Sequence, residues 1–231
     1  MIDALKSFVK KIRSVPLKTW LLAIVLMTCT YGFMHIVHEL LSEEQLQFDL
    51  RAQRSVLQLY SYPYLHAIME GFSFFGSQYF LLPAYIIMIL WIIFNLKQPS
   101  FAVYVSVSGF IGFMIGYLLK LFFHRQRPIG HATELMTSFS FPSGHTTNSF
   151  IFYGIIFYLL WSSALKPHLK YPLICIVAML ASMIGFSRVF LGVHYASDVM
   201  GGFFLGVFWV CISVVFFNKV RRRYAQVVAI E

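Results

Sequence analysis

Three short segments carry residues whose types and order can do chemistry: Lys120-x6-Arg127-Pro128, then Pro142-Ser143-Gly144-His145, then Ser187-Arg188-x5-His194-x3-Asp198. Lys120, Arg127 and Arg188 are cations suited to phosphate oxygens, Arg through a planar fork and Lys as a point charge. His194 and Asp198 are four residues apart, so at the start of a helix they share a face. A carboxylate on one ring nitrogen fixes the tautomer and leaves the other nitrogen able to attack. Pro142-Ser143-Gly144-His145 opens an apolar run, which puts it at a helix N-terminus. Unsatisfied backbone N–H groups and the positive dipole end favour an anion there. Gly144 allows close backbone approach, Ser143 can cap the helix or donate to an oxyanion, and His145 is suited to protonate a leaving oxygen. Pro128 biases Arg127 out of helix and is expected to stop the preceding element there.

These groups lie in a chain that otherwise excludes charge. Of 231 residues, 59% are hydrophobic and 12% charged, where soluble domains carry about 25% charged residues. Ionisable groups are costly near hydrocarbon, so their recurrence deep in such a chain points to a site. The class is an integral membrane protein. The net charge of +9 does not indicate nucleic acid, because Lys and Arg gather at the termini and between apolar runs without a basic stripe. Cys29, Cys175 and Cys211 fall inside apolar runs and read as buried reduced thiols. The basic N-terminus followed by a long apolar run lacks a small-residue cleavage site, so it reads as an uncleaved first span.

A spanning helix needs about 20 mostly apolar residues. Six stretches meet that: 19–41, 76–96, 100–119, 146–165, 171–190 and 199–218. Segment 42–75 is mixed in polarity, with Glu43, Glu44, Asp49, Arg51 and Arg54 among several aromatics. Its patchy helical periodicity predicts one or two amphipathic helices at the membrane surface. The expected architecture is an all-α membrane bundle of six transmembrane helices, a single domain over 1–231 with its motifs at 120–198. With both termini cytoplasmic, 12 of the 18 Lys and Arg fall on the inner side, among them Lys6, Lys10, Lys11, Arg13, Lys97, Lys166, Lys170 and Arg221–Arg223. That satisfies the positive-inside rule and puts all three motifs at the outer ends of helices three to six.

The three segments in this order resemble the signature of the type 2 phosphatidic acid phosphatase (PAP2) superfamily, with each defining position filled between Lys120 and Asp198. The resemblance implies a metal-independent phosphatase, with no cofactor, that works through a phosphohistidine within a core shared with soluble haloperoxidases. It makes His194 the nucleophile, Asp198 its orienting partner and His145 the general acid. Lys120, Arg127, Ser143, Gly144 and Arg188 would hold the phosphate. The compact form, with Phe139-Ser140-Phe141 running into Pro142, is similar to bacterial members whose usual substrates are undecaprenyl diphosphate and phosphatidylglycerophosphate. The first is slightly favoured here. Expected partners are a lipid phosphate and membrane lipids, without nucleic acid; the sequence leaves the oligomeric state open. A phosphotransferase that passes the group to a second lipid would present the same residues, whereas a lipid transporter would place ionisable groups near mid-membrane.

Other groups carry less. His35-Ile-Val-His38-Glu39 matches neither order of the helical zinc motif and is expected to pack or sit at the interface. His124, Arg125 and His131 flank the motifs and can tune headgroup binding. His66, Glu70 and Glu134 fall on the outer side within reach of a substrate.

Overall fold

The structure is a computed structural model of the chain; it describes residues 16–42, 46–59, 62–128 and 138–228, with side chains to residue 220. The basic residues Lys6 to Arg13, together with Glu43, Glu44, His131 and Glu134, lie outside these limits, as do the side chains of Arg221–Arg223. The described residues form eight helices: α1 Leu17–Ser42, α2 Gln47–Leu57, α3 Pro63–Phe75, α4 Gln78–Phe94, α5 Pro99–Phe123, α6 Gly144–Ser162, α7 Pro167–Phe190 and α8 Ala196–Val228. Proline opens α3, α5 and α7, where its missing N–H is no loss and its fixed φ suits a first turn. Ser77 and Ser143 cap α4 and α6 by accepting from the N–H three residues on.

Among the described residues four helices are long and apolar enough to cross a membrane: α1, α5, α7 and Ala196–Val220 of α8. The pair α3 and α4 meets the same criterion as one bent element, with an angle of 43°. The bend falls at Gly76, where a Cβ would lie 2.3 Å from Ile184 Cγ2 and 2.8 Å from Ser149 Oγ. No side chain fits there, so glycine is required by space. Tyr153 on α6 donates to the carbonyl of Phe75 at 3.1 Å and fixes the bend from inside.

Helix α6 is the axis of the bundle and packs against α4, α5, α7 and α8. Its first two turns, Gly-His-Thr-Thr-Asn-Ser, are polar yet largely enclosed by protein, and α6 is not among the helices apolar enough to cross a membrane by length and composition. Below the polar turns, Ile151, Phe152 and Ile155 join Met88, Ile92, Phe101, Val105 and Ile184 in the core. The outer faces of α4 and α5 expose Leu82, Ile86, Ile87, Phe94, Phe110 and Phe122, as lipid-facing helices do. Helices α6 and α8 approach closely because α8 presents Gly202 and Gly206 one turn apart. A Cβ at Gly202 would sit 2.8 Å from the Ser143 carbonyl, and one at Gly206 would sit 2.7 Å from Phe150 Cβ. Gly206→Val should therefore push the helices apart and cost about 1–3 kcal/mol. Thermal unfolding in detergent, expected to show a lowered midpoint, checks this.

The elements differ in detail from their sequence reading. Helix α5 ends at Phe123, with His124 in the left-handed region at φ 49°, so the stop lies four residues before Pro128. A residue in that conformation at a C-cap ends a helix without proline's help. Helix α8 starts at Ala196, which leaves His194 in the turn before it and Asp198 in its first turn.

Candidate active site

The C-terminal ends of α5 and α7 and the N-terminal ends of α6 and α8 meet at one end of the bundle, and every residue singled out in the three motifs is found there. The turn carrying His194 is built on the last turn of α7: the N–H groups of Val193 and His194 both donate to the Arg188 carbonyl at 3.2 Å. Gly192 supplies the positive φ of 66° that this reversal needs. The segment before α6 is anchored by Phe141, fully buried between Phe33 and Phe123 and pressed against Gly201. Ser143 N then donates to the Asp198 carbonyl at 3.0 Å, tying the start of α6 to the start of α8.

His194 is 3% exposed and its two nitrogens face different surroundings. Nδ1 lies 3.4 Å from Asp198 Oδ2 and 3.2 Å from Ser140 Oγ. Nε2 lies 3.3 Å from Arg127 Nη1. A guanidinium can only donate, so Nε2 must offer its lone pair and the ring proton resides on Nδ1. Burial pushes the His194 imidazole down to about 4, against the opposing pull of Asp198. The ring is therefore neutral near pH 7, with its basic nitrogen turned toward the cations.

Asp198 is held from all sides. Oδ1 accepts from Arg125 Nη1 at 2.6 Å, and Oδ2 accepts from Tyr195 N at 2.9 Å as well as from Ser140 Oγ. Arg127 joins two loops by donating to the carbonyls of Ser138 and Val193 at 2.8 Å. Lys120 Nζ donates to the carbonyls of Phe139 at 2.6 Å and Ser140 at 3.4 Å. Arg188, 6% exposed, donates through Nη1 to Ser73 Oγ of α3, while its buried Nε has no hydrogen-bond partner among the described residues. A buried guanidinium N–H left in that condition is costly unless a ligand oxygen takes it. His145 lies within electrostatic reach of Arg188, His194, Arg127 and Lys120. A Cβ at Gly144 would meet only Lys120 Cε at 3.5 Å, an ordinary contact. Packing therefore tolerates a methyl there.

Sequence reasoning missed the residues behind this front. Arg125, expected to flank the motifs and tune headgroup binding, bridges Asp198 to Asp49 of α2 at 2.6 and 2.7 Å. Asp49 in turn accepts from Ser197 N and Ser197 Oγ at 2.8 and 2.6 Å. The signal was thin: Asp49 stood in a mixed segment 148 residues away from Ser197, with no spacing that links them. Arg125 was legible only as an extra cation near Arg127. His35–Glu39 and His66–Glu70 form i,i+4 pairs at 3.7 and 3.5 Å, and the His66 ring also meets that of Phe190. Among the described residues no group of three or more His, Cys, Asp or Glu could hold a metal ion.

Comparison with known proteins identifies the family. The model of the PAP2 superfamily matches residues 100–222, which span α5 to the body of α8. Phosphatidylglycerophosphatase B of Bacillus subtilis (strain 168) is 35% identical over 162 residues, 69% of this chain and 79% of that protein. Undecaprenyl-diphosphatase BcrC of the same strain is 25% identical over 148 residues, 62% of this chain and 72% of that one. The crystal structure of a transmembrane PAP2-type phosphatidylglycerolphosphate phosphatase from B. subtilis superimposes with a TM-score of 0.73 at 27% identity, covering 84% of this chain and 96% of that one. LpxE of Aquifex aeolicus shares the fold at a TM-score of 0.55 and 24% identity, over 74% of this chain and 97% of that one. With its apolar helices and this end-of-bundle cluster, the chain belongs to the PAP2 superfamily: it is a multi-pass membrane protein and a phosphatase of that type.

Proposed function

We propose that the protein removes phosphate from a lipid phosphate or diphosphate at the outer membrane face, without a metal, through a phosphohistidine on His194. The observation that carries the reading is the two-sided environment of His194: a bare Nε2 toward Arg127 and a proton on Nδ1 backed by Asp198. In the first step Nε2 attacks phosphorus while the bond from phosphorus to the lipid oxygen breaks. That oxygen takes the electron pair and a proton from His145. Water then attacks phosphorus, gives a proton back to His145, and the P–N bond breaks with its pair returning to Nε2. Lys120, Arg127, Arg188 and the N-terminus of α6 with Ser143 and Gly144 bind the phosphate oxygens and spread the charge that develops on them. Four cations (Lys120, Arg125, Arg127 and Arg188) stand against two carboxylates (Asp49 and Asp198), an excess of positive charge that suits a phosphate dianion.

Phosphatidylglycerophosphate is the favoured substrate, because the relative named for it is the more similar of the two, at 35% against 25% identity. Undecaprenyl diphosphate is the next. The test is purified protein in EDTA with a panel of lipid phosphates, following free phosphate and labelled lipid together. Free phosphate released from phosphatidylglycerophosphate is expected. Label appearing in a second lipid would identify a phosphotransferase instead, and loss of activity restored by one divalent ion would overturn the metal-free reading.

The six-span topology, with both termini inside and segment 42–75 along the outer surface, rests on the distribution of Lys and Arg. A cysteine placed at exposed His124, in a background without Cys29, Cys175 and Cys211, should react with an impermeant thiol reagent added from outside. One placed at exposed His168 should not. The reverse pattern would put the site on the inner face.

A further inference from the structure

We infer that Asp49 and Arg125 are positioning residues for the reaction, so that helix α2 is a working part of the active site. The inference rests on the phosphatase reading above. Arg125 is only 9% exposed and works as a two-ended clamp: Nη1 donates to Asp198 Oδ1 at 2.6 Å and to Ser197 Oγ at 2.7 Å, while Nη2 donates to Asp49 Oδ2 at 2.7 Å. Its guanidinium also lies 4.3 Å from the ring centre of Tyr195, the residue after the nucleophile. Asp49, 4% exposed, takes the N–H and the hydroxyl of Ser197, in the first turn of α8. A carboxylate from one helix thus caps the start of another, where free N–H groups and the dipole favour it.

The placement matters for chemistry because Arg125 grips the oxygen of Asp198 that faces away from His194. The more strongly that oxygen is drawn to Arg125, the less negative charge Asp198 offers the imidazolium that forms when His194 bonds to phosphorus. Asp49 shares Arg125 and so moderates the pull. The charged groups facing His194 are Asp198 of α8, Arg127 and Lys120 from α5 and its following loop, and His145 of α6. Arg188 of α7 acts on His145 and Lys120. Asp49 and Arg125 complete the set from behind Asp198, which gives them opposite effects on one titration. Removing the charge of Asp49 strengthens the hold of Arg125 on Asp198 and lowers the pH at which His194 protonates. Removing Arg125 frees Asp198 and raises it. A purely structural ion pair would lower stability in both variants and leave kcat of the folded Asp49→Asn protein near that of the wild type.

The test uses the purified full chain in detergent with ¹⁵N-labelled histidine. The His194 resonance is assigned by its loss in His194→Gln, and its titration is followed in Asp49→Asn, Asp49→Glu, Arg125→Met and a control, Gln53→Ala, at an exposed position on α2. Asp49→Asn should move the His194 midpoint down and Arg125→Met should move it up, each by about one pH unit. Asp49→Glu should return toward the wild type, and Gln53→Ala should match it. On the lipid substrate, Asp49→Asn should lose about 100-fold in kcat at unchanged KM, because the group never touches the substrate. An unmoved His194 midpoint in folded Asp49→Asn, or shifts of the same sign in the two variants, would overturn the inference. If Arg125→Met does not fold, the contrast of Asp49→Asn with Asp49→Glu decides alone. The titration needs no turnover, so a wild-type protein that releases no phosphate would defeat the phosphatase reading and leave this one still decided by the resonance.

Discussion

Replacing His194 by alanine should stop turnover, with kcat falling by ~10⁴-fold or more while the protein stays folded. The side chain is buried, and it contributes one 3.4 Å contact to Asp198, one 3.2 Å contact to Ser140 and one 3.3 Å contact to Arg127. Asp198 keeps Arg125, Ser140 and the Tyr195 N–H after its loss, so no buried carboxylate is orphaned. What disappears is the attacking nitrogen. Rapid quenching with labelled substrate should trap an acid-labile phosphoenzyme in the wild type and none in the variant. A folded His194→Ala protein that still turns over would end the phosphohistidine mechanism.

Asp198→Asn is the second large effect, and its cause differs. The amide keeps the shape but can satisfy only one of two obligate donors, Arg125 at Oδ1 and the Tyr195 N–H at Oδ2; with its oxygen held by the charged Arg125, its NH2 faces the Tyr195 N–H and His194. Nδ1 then faces a donor and becomes the acceptor, and the ring proton moves to Nε2. The nitrogen that should attack is now protonated, and the imidazolium has lost its counter-charge. A fall of about 10³–10⁴-fold in kcat is expected, the size seen when the orienting carboxylate of a catalytic histidine is made an amide. Steady-state kinetics on the folded variant, with KM little changed, is the check. Activity near wild type would mean that Asp198 serves structure only.

Both effects were foreseeable from the sequence because their residues are local. His194 and Asp198 are four apart, and Ser143 and His145 open a helix, so spacing suggests what each can do and the resemblance to the PAP2 signature supplies the roles. Of the six apolar stretches, among the described residues four return as helices long and apolar enough to span, a fifth does so only as the bent pair α3–α4, and α6 does not meet the criterion. The structure adds what depends on distant pairing. Asp49 meets Arg125 across 76 residues and Ser197 across 148, and no periodicity connects them. Ser73 reaches Arg188 across 115 residues for the same reason. Helix α6 starts at the expected motif, with Ser143 as its cap, but the apolar run 146–165 lies a few residues toward its far end and the helix ends at Ser162. Its polar first turns are shielded by neighbours rather than by lipid, so hydropathy shifted the apparent span toward the greasy end. The stop at His124 in place of Pro128 is another such case, because a left-handed C-cap on a histidine leaves little trace in sequence.

The shortness of α6 has a mechanical consequence. Its 19 residues measure about 28 Å at 1.5 Å per residue, against a hydrocarbon thickness of about 30 Å. Its neighbours α5 and α7, with 25 and 24 residues, reach about 36 Å. Because the first turn of α6 meets the last turn of α5 at the site, with Gly144 beside Lys120, the missing length lies at the opposite end of the bundle. On the six-span reading that end faces the cytoplasm. A bilayer that suits the neighbours then leaves the inner end of α6 short, a mismatch met by local thinning of the bilayer or by snorkelling of flanking Lys166 and Lys170 rather than at the site.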